Sequence, residues 1–249
     1  MPELAAGVLR WIGLLGLMGL AGPAIVDGWI LRGLPGLAPG PDHARRSRRL
    51  AVAGGVLLAA SGLAAAILAA WELTQGRAAA LGRFLVATHT GRAALIQAAA
   101  GLVGAVLACR FWPGRPPVGR AWILVALAAV AAVVWNSHAS IRGGSALLVD
   151  GLHVAAVALW IGGLLRLALL DWQAVEHGRD GGPARVLPSL IRRFSDLGAL
   201  AVLVVAVSGI LAARRNLYGA DALIRSPYGQ ALLAKLALVA VLLAIAAVN

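Results

Sequence analysis

The chain has 249 residues, 61% hydrophobic and only 13% charged, with a mean hydropathy of +0.86. That composition excludes an ordinary soluble domain, since several windows exceed the roughly 20 apolar residues that cross a bilayer about 30 Å thick. The net charge of +12 does not signal nucleic acid, because the arginines stand in loops between apolar spans, where they report topology instead.

Seven apolar segments follow one another along the chain. They cover about residues 4–31, 50–71, 91–111, 120–136, 146–170, 195–213 and 230–248, and Gly22-Pro23 predicts a kink near the middle of the first. The expected fold is all-α: a polytopic transmembrane helix bundle of about seven spans, forming a single integral-membrane domain over residues 1–249 in a lipid bilayer. Abundant Gly and Ala predict close helix packing. Residues 4–22 are apolar but interrupted by Arg10 and preceded by Glu3, so they do not read as a cleavable signal peptide.

Orientation follows from the basic residues. The loops after the first, third and fifth segments carry Arg32, Arg45, Arg46, Arg48, Arg49, Arg110, Arg115, Arg120, Arg179, Arg185, Arg192 and Arg193, which makes twelve. The alternate loops carry seven: Arg77, Arg83, Arg92, Arg142, Arg214, Arg215 and Arg225. The first set is therefore expected on the cytoplasmic side, with the N-terminus outside.

The single cysteine, Cys109, allows no intramolecular disulfide and no cysteine-based metal cluster. Met1 and Met18 are the only methionines, so the chain has no thioether-lined copper path. No Walker motif is present, and any transport would be passive or ion-coupled.

Of the five histidines, His43 and His177 fall among charges in basic loops and read as solvated. His89, His138 and His153 converge on the outer end of the third, fourth and fifth segments. Asp150, His153, Val157 and Trp160 are spaced to share one helix face. Ionisable groups inside a membrane helix are functional candidates by default. The carboxylate either orients the imidazole or joins it in holding a cation, and imidazole suits copper, zinc, iron and nickel. Asp150 also has possible partners in Arg142 and Arg92. Both arginines lie on this side and oppose the approach of a cation unless carboxylates screen them. Trp29, Trp71 and Trp135 read as interfacial belt residues, Trp160 as core packing, and Gly162-Gly163 as a close helix contact. Lys235 is expected to be buried in the seventh segment.

Several motifs in the chain resemble those of the CopD family of copper-resistance inner-membrane proteins, which also forms the membrane part of YcnJ-like importers. They are Ser137-His138-Ala139, Asp150-Gly151-Leu152-His153 with Ala155-Ala156 and Trp160-Ile161-Gly162-Gly163, and Thr88-His89-Thr90-Gly91-Arg92. Arg193-Phe194-Ser195, Ser208-Gly209, Pro227-Tyr228-Gly229 and Lys235 add to the likeness. The resemblance covers about residues 84–249, while the first 80 match in pattern only. The family typically has eight spans, continuing where this chain ends at Asn249.

The resemblance implies copper transport across the bacterial cytoplasmic membrane, as import from a CopC-like periplasmic carrier, without enzymatic activity. It implies a metal site at His138, His153 and Asp150, with His89 a lesser ligand and Trp160, Arg92, Arg142 and Lys235 in support. Two other readings compete. A haem- or quinone-binding redox protein would use facing histidines such as His89 and His153. In a structural subunit the polar cluster would serve packing alone.

Overall fold

In the computed structural model, residues 2–31, 34, 41–75, 77, 80–110, 116–136, 143–170, 186–217 and 221–248 are described. Every element among them is helical, as a chain that must satisfy its backbone inside a bilayer requires. The chain divides into two compact units, Met1–Val205 and Ala206–Asn249.

In the first unit, α1 runs Pro2–Ile25 and α2 Pro41–Leu73. The short α3, Leu81–Ala87, precedes α4, His89–Arg110. Then come α5, Pro116–Trp135, and α6, Gly144–Ala168. The last helix, α7, Val186–Asn216, runs on into the second unit. All seven predicted apolar segments are helical. Among the described residues, five helical spans are long and apolar enough to cross a membrane: Leu4–Ile30, Asp42–Leu73, His89–Arg110, Gly144–Ala168 and Leu187–Arg215. Ala121–Trp135 and Pro227–Val241 are shorter apolar helices. The protein is a multi-pass membrane protein. Its outward faces carry large apolar side chains such as Leu102, Val106, Leu127 and Leu203, as contact with lipid demands.

Pro23 lies inside α1, where it has no N–H to offer the preceding turn. Immediately beyond it, Val26–Ile30 wind as a single π-helical turn. The irregularity expected at Gly22-Pro23 is thus absorbed one turn later, and it carries Asp27.

Small residues bring the helices together. A Cβ added at Gly16 would stand 2.5 Å from Leu58 N, and one added at Gly54 would stand 2.6 Å from Leu20 N, so α1 and α2 meet backbone to backbone. Gly55 of α2 and Gly101 of α4 face each other's carbonyls in the same way. Gly22 lies against the Gly162 carbonyl, and a Cβ on Gly163 would meet Phe194, as the Gly162-Gly163 pair predicted. Leu17, Leu20, Leu58, Trp122 and several alanines fill the core between these contacts. A second cluster, Val26, Ile30, Leu31, Leu34, Leu170, Leu190 and Phe194, receives Trp160 at its edge.

The second unit holds the end of α7, the short α8, Asp221–Arg225, and α9, Pro227–Val248. Lys235 stands on α9, most of which is uncovered by other side chains of its unit. One local device occurs in both units. Thr88 Oγ1 donates to Phe84 O at the end of α3 (2.7 Å) and accepts from Gly91 N–H at the start of α4 (2.9 Å). Ser226 Oγ does the same between Ala222 O (2.5 Å) and Gly229 N–H (3.0 Å). Each hydroxyl closes a short helix and caps the long one that follows.

Candidate functional site

Five helices of the first unit surround a cavity of about 220 Å³. Arg10 and Gly13 of α1, Ser61 and Gly62 of α2, and Gln97 of α4 line it, with Asn136 at the end of α5 and Asp150 and Val154 of α6. Gln97 crosses from α4 to α2. Its Nε2 donates to Leu58 O at 3.0 Å and reaches Ser61 Oγ at 3.4 Å. Ser61 Oγ donates to the same carbonyl at 3.1 Å. These bonds satisfy two buried side chains and fix one wall. The cavity therefore presents a carboxylate, a guanidinium, a hydroxyl and two amides in an otherwise apolar bundle.

The predicted residues separate around it. Asp150 lines the cavity, and His153 stands one turn further along α6, half-buried. Both have interaction partners within the protein. His138, Ser137 and Arg142 lie outside the described residues. His89 is exposed at the start of α4, with its ring edge-on to Trp135 at a centroid distance of 5.5 Å. Arg92 is exposed too, and its Nε donates back to Thr88 O at 3.4 Å. Neither His89 nor Arg92 lines the cavity. Trp160 packs on the cluster around Val26 and Ile30, in keeping with the packing role expected of it. Among the described residues no three His, Cys, Asp or Glu side chains stand close enough together to hold a metal ion. Sequence reasoning missed Gln97, Ser61 and Asn136, and noticed Arg10 only as an interruption. The isolated glutamine in an apolar segment was the signal available.

A second polar cluster was also missed, and it corrects the reading of His43. That residue is not a solvated loop histidine: it sits in the first turn of α2 and is only 7% exposed. Asp27, in the π-helical turn, is 7% exposed, and Arg166, near the end of α6, is 0% exposed. Arg166 holds the carboxylate with two bonds, Nε to Oδ2 and Nη2 to Oδ1, both 3.0 Å. His43 Nε2 lies 3.0 Å from Oδ1 and 2.6 Å from Arg166 Nη2, while Nδ1 lies 3.1 Å from Nη2. The imidazole thus lies against both the carboxylate and the guanidinium. Three helices are thereby joined through one carboxylate. His177, the other histidine read as solvated, lies outside the described residues.

Two family models match the chain. "Copper resistance protein D-like, N-terminal domain" matches residues 1–149, and "Copper resistance protein D" matches residues 188–249. The likeness thus extends through the first 80 residues, where the sequence offered pattern alone. Residues 150–187 lie between the two ranges. The copper transport protein CutJ of Bacillus subtilis (strain 168) is 33% identical over 107 residues, a stretch covering 41% of this chain and 18% of CutJ. The chain thus matches less than a fifth of that relative's length. No solved structure matches. With more than half its length matched by one family model, the chain belongs to the copper resistance protein D family.

Proposed function

We propose that this protein carries copper ions across the bacterial cytoplasmic membrane, inward from a CopC-like periplasmic carrier, with its N-terminus outside. The cavity between α1, α2, α4, α5 and α6 receives the ion, with Asp150 and His153 as ligands and His138 from the adjoining segment as a third. The observation that carries this reading is a carboxylate lining a polar cavity between apolar helices, in a family named for copper resistance. The copper transport named for CutJ supports the same cargo. Gln97, Ser61 and Asn136 add neutral oxygens that can replace part of a hydration shell without fixing the ion too tightly to leave. Arg10 opposes a cation, so binding is weak when Asp150 is the only carboxylate, and weak binding suits onward release.

The test is copper and iron content of the purified protein after growth with added copper, alongside copper accumulation in cells. No iron is expected, and copper added back by titration should bind at one ion per chain with the weak affinity of the cavity, that binding being lost in Asp150→Asn and His153→Ala. Accumulation unchanged by both substitutions would overturn the site. Stoichiometric iron would turn the reading to haem chemistry.

A further inference from the structure

Asp196 is the last charged residue before Leu197–Ala213, an uncharged run of 17 residues in α7. A transmembrane helix needs about 17–25 such residues, so Asp196 stands at the edge of the hydrocarbon, at headgroup level. Its carboxylate is exposed and makes no hydrogen bond or ion pair among the described residues. A bare carboxylate at the surface of an apolar span is costly unless something pairs with it.

Arg193, Asp196, Leu197 and Leu200 are spaced 3, 1 and 3, so they share one face of α7. Opposite this face lies the end of α1, with buried Ile30 and exposed Trp29, and the two helices leave a groove of about 360 Å³ between them. That volume falls among small-molecule sites, which span about 300–1,000 Å³. Among the described residues, the charged groups lining the groove are one cation and one anion, Arg193 and Asp196.

Opposite charges three residues apart on a helix ordinarily close on each other. Here the guanidinium reaches across the groove instead. Arg193 Nη1 donates to Ile30 O, the carbonyl that ends the π-helical turn, at 3.4 Å. Most of the five guanidinium N–H donors stay open for another partner. Side chains of a helix lean toward its N-terminus, which carries the Asp196 carboxylate out of the hydrocarbon toward the level of Arg193. The groove thus presents separate places for an anion and a cation at the membrane surface, above two leucines.

We propose that this groove is a binding site for phosphatidylethanolamine. The phosphate pairs with Arg193 and the primary ammonium with Asp196, each through charge-assisted hydrogen bonds. Trp29 lies against the glycerol region, where indoles favour the membrane interface, and an acyl chain runs along Leu197 and Leu200. A choline headgroup has the charge for Asp196 but no N–H to donate. An anionic headgroup satisfies Arg193 and leaves Asp196 opposed. The inference stands apart from the transport reading, since neither Arg193 nor Asp196 lines the Asp150 cavity.

Native mass spectrometry tests it, on purified protein equilibrated with equal parts of phosphatidylethanolamine, phosphatidylcholine and phosphatidylglycerol. One phosphatidylethanolamine per chain is expected to stay bound, with about tenfold preference over each of the others, the effect of one charge-assisted hydrogen bond. Asp196→Asn should erase that preference, and Arg193→Gln should lower retention of all three lipids. Both side chains are exposed, and both variants are expected to melt as the wild type does. If either does not, the wild-type preference alone decides. Equal retention of the three lipids overturns the site, and so does a preference unmoved by Asp196→Asn. Phosphatidylglycerol held above phosphatidylethanolamine would mark a basic surface that attracts any anionic lipid, and would overturn it too. A lipid-free dimer lost in Trp29→Ala would give the groove to a second copy of the chain instead. Copper binding should be unchanged in both variants, so failure of this site and failure of the cavity reading register separately.

Discussion

Asp27 and Arg166 show what one residue can hold when water is excluded. The carboxylate accepts two bonds from the guanidinium and contacts the imidazole, so substituting it strands a buried positive charge. Breaking one side of such a pair costs about 3–5 kcal/mol, whereas replacing both partners by apolar residues of similar size is often close to neutral. Asp27→Asn should therefore lower thermal stability in detergent far more than Asp27→Leu combined with Arg166→Met. A double variant as unstable as the sum of its single substitutions would show that the charges contribute favourably in their own right. None of this was legible in the sequence. Asp27 is 16 residues from His43 and 139 from Arg166; His43 read as a solvated loop histidine, and Asp27 and Arg166 were not singled out. Asp150 was legible because it stands near a histidine on the same helix in an apolar run. Gln97 acquires its meaning only through Leu58 and Ser61, which are 39 and 36 residues away.

The motif around Thr88 joins two elements. Thr88 ends α3 and caps α4, and Gly91 is required because its α-carbon abuts the end of α3. A Cβ there would stand 2.5 Å from Leu85 Cα, a backbone atom that cannot yield cheaply. Thr88→Ala should cost about 1 kcal/mol, the usual value of a lost N-cap, and Thr88→Ser should restore it. Gly91→Val should be worse than Thr88→Ala in the same unfolding assay, while copper content per folded molecule stays unchanged in both. Lost copper in folded Thr88→Ala would give this turn a role at the site. The sequence displayed the motif clearly and hid its function, because capping depends on the carbonyl of the preceding short helix. Helix positions, by contrast, follow from hydropathy alone, since the bilayer fixes both the length and the composition of a span. The glycine contacts were foreseen in kind, and Gly162 in particular, but pairings such as Gly55 with Gly101 depend on which helices become neighbours.

At the scale of the whole molecule, orientation decides which side of the membrane the Asp150 cavity faces. In the proposed orientation, which rests on the excess of arginine after the first, third and fifth segments, the Asp150 cavity faces the outside and the Asp27 cluster the cytoplasm. Cys109, the single cysteine of the chain, tests this directly. It is exposed at the end of α4 beside Arg110, within the set assigned to the cytoplasm. A membrane-impermeant maleimide should leave it unlabelled in intact spheroplasts and label it in inverted vesicles. Arg77→Cys in a Cys109→Ser background should behave the other way, since Arg77 is exposed beyond the opposite end of α2. Labelling of Cys109 from outside would invert the bundle. The Asp150 cavity would then open toward the cytoplasm, and the proposed transport would run in the reverse direction through the same residues. This labelling therefore fixes the sense in which every transport measurement on the variants is interpreted.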